Sequence, residues 1–276
     1  MTSVDYSQTA ASDETTASEA PLLSLDSVSC EYKLDGGGRF RAVDGVSLQL
    51  GRSEVLGLVG ESGCGKSTLA KLICGLEKPA GGQISFYGNS VKALGLKKRA
   101  KSLLGIQMVF QNPYASLNPR RRIRDQLEDA LALDPSGRWS VESLLDAVDL
   151  PADASGRYSH SFSGGQRQRI AIARALAAGP KVLIGDEPIA SLDAFLQARI
   201  ARMMRDLAIS SGASMIFISH DLSVVRDIAD RVAVMDAGRI VEVGSTEQIW
   251  NDPHHPYTKK LLAAIPQVDG KGIIPG

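Results

Sequence analysis

Apolar and polar residues follow strand and helix periods along most of the chain, and these periods predict its elements. Residues 55–59 are apolar with a single glycine and predict a buried strand. Apolar residues at helical spacing predict a helix over 66–76. Upstream, residues 22–50 carry strand-like patterns on both sides of a glycine-rich turn at 35–38. This part of the chain is therefore predicted to contain strands, a loop and a helix.

The remaining chain continues the alternation. Strands are predicted at 83–87 and 106–110, and helices at 126–133 and 141–148. Both helices fall in residues 112–160, a stretch with several prolines that indicates an inserted helical subdomain. A helix is predicted from Ser163 to residue 178. Strands and helices then alternate at 182–184, 196–207, 215–218, 222–228 and 232–235. Such alternation predicts a mostly parallel sheet covered by helices, which binds ligands at the carboxyl ends of its strands.

Composition excludes several classes of protein. The 31 basic and 31 acidic residues give a formal net charge of zero, so the chain as a whole gives no indication of a nucleic-acid partner. No apolar run approaches the roughly 18 residues that span a bilayer, and no secretory signal is expected at the start. Residues 1–20 are rich in Ser, Thr, Ala, Asp and Glu and predict a disordered tail. The three cysteines, an odd number without metal spacing, favour a reducing compartment.

The most informative motif is a phosphate-binding loop between the strand at 55–59 and the helix that follows. It fits the pattern G-x-x-x-x-G-K-[ST], in which successive backbone N–H groups and a helix N-terminus face a phosphate chain. The lysine reaches the β- and γ-phosphates, and the following hydroxyl can hold Mg²⁺. The chain is therefore predicted to bind a nucleoside triphosphate through Gly60, Ser62, Gly63, Cys64, Gly65, Lys66, Ser67 and Thr68.

Two further segments carry candidate chemistry. An apolar strand ends in Asp186 and Glu187, where one carboxylate can hold Mg²⁺ and its neighbour can polarise an attacking water. The plainer interpretation of this pair is an ordinary acidic strand-to-turn junction. Ser163, Gly164, Gly165 and Gln166 begin a helix, where the serine can serve only as its cap or the segment can form a second phosphate site. Since one γ-phosphate cannot readily use both sites of one chain, two chains packed head to tail are expected.

With these motifs in this order, residues 22–266 resemble an ATP-binding cassette (ABC) ATPase. The resemblance implies an α/β P-loop NTPase fold with a mostly parallel core sheet, an antiparallel β subdomain and an inserted helical subdomain. Lys66 then belongs to Walker A, Asp186 and Glu187 end Walker B, and Ser163–Gln166 is the signature motif, preceded by phenylalanine where leucine is usual. The resemblance also implies roles for Gln111 as Q-loop residue and Mg²⁺ ligand, Asp193 in the D-loop, His220 as γ-phosphate contact and Tyr32 stacked on adenine.

Two segments narrow the resemblance to one group. Residues 107–120 and 255–266 are similar to the ATPase subunits of peptide and nickel importers. This similarity implies ATP and Mg²⁺ as cofactors, integral membrane permease subunits and a second ABC ATPase, identical or paralogous, as partners, and an indirect link to a solute-binding protein. It places the chain peripherally at the cytoplasmic face of the inner membrane. The expected division is a tail at 1–20, an ATPase domain at 21–250 with its helical subdomain at about 112–160, and a C-terminal extension at 251–276.

Other functions remain open at this stage. Cassette ATPases of phosphonate carbon–phosphorus lyase systems dock on a soluble enzyme complex and resemble this group at the C-terminus. Repair-type cassettes carry a long coiled-coil insert and translation-type proteins carry two cassettes, and the sequence shows neither feature. The stretch 112–120 favours transport over the soluble alternatives.

Overall fold

The computed structural model describes residues 20–34, 36–95, 100–112, 116–190 and 192–264, with the backbone alone for Ser102. The strands in this part of the chain are β1 (Leu23–Lys33), β2 (Arg39–Leu50), β3 (Val55–Val59), β4 (Gly81–Phe86), β5 (Asn89–Ser90), β6 (Ile106–Val109), β7 (Val182–Asp186), β8 (Ser214–Ile218), β9 (Arg231–Asp236) and β10 (Arg239–Ser245). The α-helices are α1 (Lys66–Ile73), α2 (Ile123–Leu131), α3 (Val141–Ala147), α4 (Gly164–Ala177), α5 (Ala194–Ser210), α6 (Leu222–Ile228), α7 (Thr246–Asn251) and α8 (Pro256–Ala263).

The strands form two sheets. The larger has the order β10-β9-β3-β8-β7-β6, and all its neighbours are parallel except β10 and β9. The smaller is antiparallel with the order β2-β1-β4-β5. Among the described residues, no helix is both long and apolar enough to cross a membrane.

The parallel sheet is buried on both faces, which explains the continuous apolar runs of its strands. On β3, Leu56 and Leu58 face a core shared with α1 and the antiparallel sheet. Val55 and Val59 point to the opposite face, where they belong to a core built with α2 to α6. The period of two in a strand thus divides one apolar segment between two cores. This arrangement confirms the expected α/β fold with an antiparallel subdomain.

The helical subdomain lies between β6 and α4. Helices α2 and α3 both contact α4, and an antiparallel bridge joins Arg122 to Tyr158 across the base of the insertion. Buried side chains of α2 and α3, such as Leu127 and Leu144, belong to the same core as the parallel sheet. The insertion is therefore packed on the sheet through α4.

Several predicted bounds are corrected by the structure. The helix predicted over 66–76 ends at Ile73, because Gly75 adopts a left-handed conformation with φ of 68°. The strand predicted to start at 83 begins at Gly81. Strand β10 and helices α7 and α8 were not predicted from the pattern. The predicted tail up to residue 19, Asp35 of the glycine turn, residues 113–115, Ser191 and residues beyond 264 lie outside the described residues.

Candidate functional site

The candidate residues follow the carboxyl ends of four neighbouring parallel strands. Strand β3 leads into the phosphate-binding loop, β7 ends at Asp186, Gln111 follows β6, and His220 follows β8. The carboxyl ends of parallel strands meet at one edge of a sheet, which is where open α/β sheets bind ligands. Residues that are far apart in the sequence are therefore brought to one edge.

The loop after β3 requires glycine at two positions. Gly60 has a φ of 151°, and a Cβ added there would lie 2.1 Å from the carbonyl oxygen of Met235. Gly65 has a φ of 112°, and its Cβ would lie 2.2 Å from the carbonyl oxygen of Ala42. A side chain at either position would therefore combine backbone strain with a steric clash. The glycines let the loop pass close to β9 and β2 before α1 begins.

Lys66 is folded back into the loop. Its ammonium group is buried and donates hydrogen bonds to the carbonyl oxygens of Gly60 and Glu61, each at 2.8 Å. The sulfur of Cys64 lies 3.7 Å from the same nitrogen. Burial raises the pKa of the Cys64 thiol, although the nearby ammonium acts in the opposite direction. Lys66 is the first residue of α1, and its ammonium group is surrounded by atoms of the loop.

Ser67 and Asp186 form the next contact. The Ser67 hydroxyl donates to Asp186 Oδ1 at 2.8 Å, and Asp186 is only 7% exposed at the end of β7. Burial raises the pKa of this carboxyl group, with the Ser67 hydrogen bond working against the rise. The exposed Ser67 hydroxyl and the buried Asp186 carboxylate supply the oxygen ligands that Mg²⁺ prefers. The donor set therefore fits a magnesium ion next to the phosphate loop.

Glu187 meets two other candidate residues at one oxygen. Gln111 Nε2 donates to Glu187 Oε2 at 3.3 Å, and His220 Nδ1 lies 3.4 Å from the same oxygen. The backbone N–H of Glu187 donates to the carbonyl oxygen of Ile218, and its φ of 46° lies in the left-handed region. Strained backbone of this kind is found where a site holds a side chain in a required position. The carboxylate is thus positioned next to Asp186 without sharing its contacts.

Lys66, Ser67, Gln111 and Glu187 line an open cleft of about 330 Å³. Its lining includes two aromatic side chains on paired strand positions, Tyr32 on β1 and Phe40 on β2. Tyr32 is half-buried and hydrogen bonds with Thr68 of α1, whereas Phe40 is 48% exposed. Phe40 was missed in the sequence because it stands between Arg39 and Arg41 in no recognised motif. The other lining residues are Ala42, Ser62, Gly63, Gly65, Lys66, Ser67, Thr68, Gln111 and Glu187.

The predicted second phosphate site does not line this cleft. Ser163 caps α4: its hydroxyl accepts from the N–H of Gln166 at 3.3 Å, and the Gln166 side chain accepts from the N–H of Ser163 at 3.0 Å. Both Ser163 and Gly164 are exposed. Asp193 likewise caps α5 by accepting from the N–H of Leu196. The structure therefore leaves these segments as exposed helix starts outside the cleft.

Comparison with known families shows the family to which a chain with this arrangement belongs. The model of the ABC transporter family matches residues 43–190, which include the loop, Gln111, the signature segment and both acidic residues. The chain belongs to the ABC transporter family. A second model, the C-terminal region of oligopeptide/dipeptide transporters, matches residues 241–275 of this cassette.

Individual relatives agree with both matches. The cassette is 48% identical over 233 residues to the dipeptide transport ATP-binding protein DppF of Haemophilus influenzae, covering 83% of this chain and 71% of the relative. It is 42% identical over 272 residues to the oligopeptide transport ATP-binding protein AppF of Bacillus subtilis, covering 94% and 83%. A solved dimeric ATP-binding cassette in a post-hydrolysis state, bound to ADP and Pi, aligns with a TM-score of 0.70 and 26% identity over 81% of this chain and 98% of that one.

Proposed function

We propose that this cassette is the ATP-hydrolysing subunit of an importer for peptides or related small solutes such as nickel. The observation that carries the proposal is the meeting of Lys66, Ser67, Gln111 and Glu187 in one cleft, with Asp186 bonded to Ser67. The match of residues 241–275 to the C-terminal region of oligopeptide/dipeptide transporters supports the class of cargo. The names of the relatives from Haemophilus influenzae and Bacillus subtilis agree with this class.

ATP binding is assigned to the cleft. Adenine stacks on Tyr32, with Phe40 as a second aromatic neighbour, and the backbone N–H groups of residues 62–68 face the phosphates. Lys66 reaches the β- and γ-phosphates. Ser67, Gln111 and Asp186 would hold Mg²⁺, which would supply positive charge against the charge that develops on the phosphates. The hydrogen-bonded oxygens of Ser67 and Asp186 are the feature that fits this ion.

Hydrolysis is assigned to the residues around Glu187. Its carboxylate orients and polarises the attacking water, and His220 contacts the γ-phosphate. Gln111 and His220 both approach Glu187 Oε2, so they also restrain the direction of the general base. Because Glu187 and His220 follow adjacent strands, a small movement at the carboxyl edge of the sheet changes their separation.

A second cassette, identical or paralogous, completes each site. The exposed start of α4 suits this role, since Ser163 and the backbone around Gly165 can meet the γ-phosphate held by the partner, with Asp193 near the same interface. Closure excludes water and aligns the reactants. The helical subdomain, linked to the site through Gln111, carries this motion to integral membrane permease subunits. The chain is accordingly placed at the cytoplasmic face of the membrane, in a system with an external solute-binding protein.

Affinity purification from native membranes tests this proposal. We expect this chain to be recovered with two permease subunits, with or without a second ATPase. Recovery of a soluble enzyme complex, without permease subunits, would keep the ATP chemistry and contradict the transport role. A control preparation with Lys66→Ala should retain the same partners, because the substitution removes a phosphate contact and leaves the docking surfaces intact.

A further inference from the structure

The C-terminal helix α8 contacts the phosphate-binding loop directly. The hydroxyl oxygen of Tyr257 accepts a hydrogen bond from the backbone N–H of Glu61 at 3.0 Å, across 196 positions of sequence. Tyr257 is half-buried, and its side chain packs against the core that contains β3 and α2 to α6. Burial raises the pKa of its hydroxyl, so the group stays neutral at physiological pH. The C-terminal extension therefore contacts the phosphate-binding loop through α8.

The residues before Tyr257 fix its position. Glu242 of β10 accepts hydrogen bonds from the backbone N–H groups of His254 at 2.8 Å and His255 at 3.0 Å. His255 then caps α8, as its Nδ1 accepts from the N–H of Tyr257 at 3.2 Å. Pro256 occupies the first helical position, where its fixed φ suits a helix start. These hydrogen bonds attach the segment His255-Pro256-Tyr257 to β10 and fix the start of α8.

The bond from Tyr257 falls on a peptide group that also holds Lys66. The carbonyl of Gly60 and the N–H of Glu61 belong to one planar peptide unit. Its oxygen accepts from Lys66 Nζ at 2.8 Å, and its N–H donates to Tyr257. Rotation of this unit would move the carbonyl away from the ammonium group. The hydroxyl of Tyr257 and the ammonium of Lys66 therefore fix the same peptide from opposite ends.

We propose that Tyr257 is a positioning residue for nucleotide binding, which holds the Gly60–Glu61 peptide so that Lys66 stands ready for the phosphates. An ammonium group has three donors, and two of them already go to the carbonyls of Gly60 and Glu61. The third lies 3.7 Å from the Cys64 sulfur, a weak acceptor that a phosphate oxygen can replace. The C-terminal extension is then coupled to ATP binding through a single hydrogen bond. This inference rests on the proposed ATPase function.

The test is Tyr257→Phe in the full chain, which keeps the ring and removes only the hydroxyl. We expect the KM for ATP to rise about 2- to 10-fold, the range for one net hydrogen bond. The kcat should stay within about twofold, since binding of substrate and transition state is weakened equally. Amide hydrogen exchange at Glu61, measured by NMR without nucleotide, should accelerate by a similar factor. The matched control is Tyr87→Phe, which removes an exposed hydroxyl at the turn between β4 and β5.

The two readouts separate the possible failures. Unchanged exchange at Glu61 would mean that the contact does not hold the loop, and faster exchange with an unchanged KM would mean that the peptide does not position Lys66. Either result overturns the inference. If the wild-type chain bound no ATP, the proposed function would fail, and the exchange comparison would still decide whether Tyr257 holds the loop.

Discussion

The cleft at the edge of the parallel sheet and the exposed start of α4 are the two regions to which we assign the phosphate chemistry, and they differ in burial. In the cleft, Lys66 and Asp186 are buried and bonded to neighbouring groups of the same chain. At the start of α4, Ser163 and Gly164 are exposed, and the Ser163 hydroxyl is engaged only in capping its own helix. The first region is organised within one chain. The second region presents an exposed helix N-terminus, which suits contact with another chain.

This difference indicates where substitutions should act. A change in the cleft disturbs contacts that exist in the isolated chain, so it should alter binding, chemistry or stability there. A change at the start of α4 should leave the isolated chain intact and act only when a second cassette is present.

The largest effect is expected at the general base. Glu187→Gln keeps the size and the contacts of the side chain but removes the charge that polarises water. Turnover should fall by about 10²–10⁴-fold, the usual contribution of general acid–base catalysis, while ATP still binds. Single-turnover hydrolysis and a nucleotide-binding titration on the same preparation measure the two quantities. A variant with unchanged turnover would remove Glu187 from the mechanism and leave the acidic pair as an ordinary turn.

A smaller effect is expected at the aromatic pair. Tyr32→Ala should weaken ATP binding about 10-fold, within the range for loss of one base-stacking contact. Phe40→Ala should cost less, about twofold, because this ring is 48% exposed and must be ordered when it binds a base. Titration of the isolated chain with ATP compares the two. A larger loss of ATP affinity for Phe40→Ala than for Tyr32→Ala would indicate that adenine stacks on Phe40 of β2 and not on Tyr32 of β1.

The smallest effect concerns stability without ligand. Burial raises the pKa of Asp186, so the folded state disfavours the charged carboxylate. The folded state therefore loses stability as the pH rises above the pKa that this carboxyl group has in the unfolded chain. Asp186→Asn should therefore raise the melting temperature of the metal-free chain at neutral pH by about 2–4 °C. The gain should disappear below about pH 4, where the unfolded carboxyl is also protonated.

Thermal unfolding from pH 3 to pH 8 checks this prediction. Asp206→Asn provides the control, because the Asp206 side chain is 74% exposed. A melting temperature that falls at neutral pH in Asp186→Asn, with no change in the control, would show that the Ser67 contact outweighs the cost of burial.

The sequence predicted the part of the fold that follows simple periods. Strands β3, β8 and β9 were found because they are apolar and buried, and α4 was found by its serine cap and apolar face. Strand β10 was missed because its residues are only partly buried and show no alternation. Helix α8 was missed because its attachment depends on Glu242 and on the loop after β3, which are distant in sequence.

The site was predictable to the extent that motifs carry it. Lys66, Ser67, Asp186 and Glu187 stand in patterns whose chemistry is recognisable, and the structure brings them together. Phe40 stands in no motif, and Tyr257 stands in a segment that indicated the group but no contact with the site. The positions of both depend on strand register and on helix docking. The roles of Gln111, His220, Tyr32, Asp193 and the signature segment remain predictions that rest on the family resemblance and on geometry.

The central claim, that each ATP site is completed by a second cassette, is tested most directly at Gly164. A Cβ added there meets no atom within 4 Å, so Gly164→Glu should fold normally as an isolated chain. In a head-to-tail pair its carboxylate would face the partner's γ-phosphate. Ser90→Glu, on the exposed edge strand β5, supplies the same charge change as a control.

ATP affinity of the isolated chain and turnover of the assembled ATPase are to be measured for both variants. For Gly164→Glu we expect affinity within about twofold of wild type and turnover lower by about 10²-fold, the size of losing one transition-state contact. Ser90→Glu should match the wild type in both. Retained turnover in Gly164→Glu, or ATP affinity lost in the isolated chain, would contradict the claim.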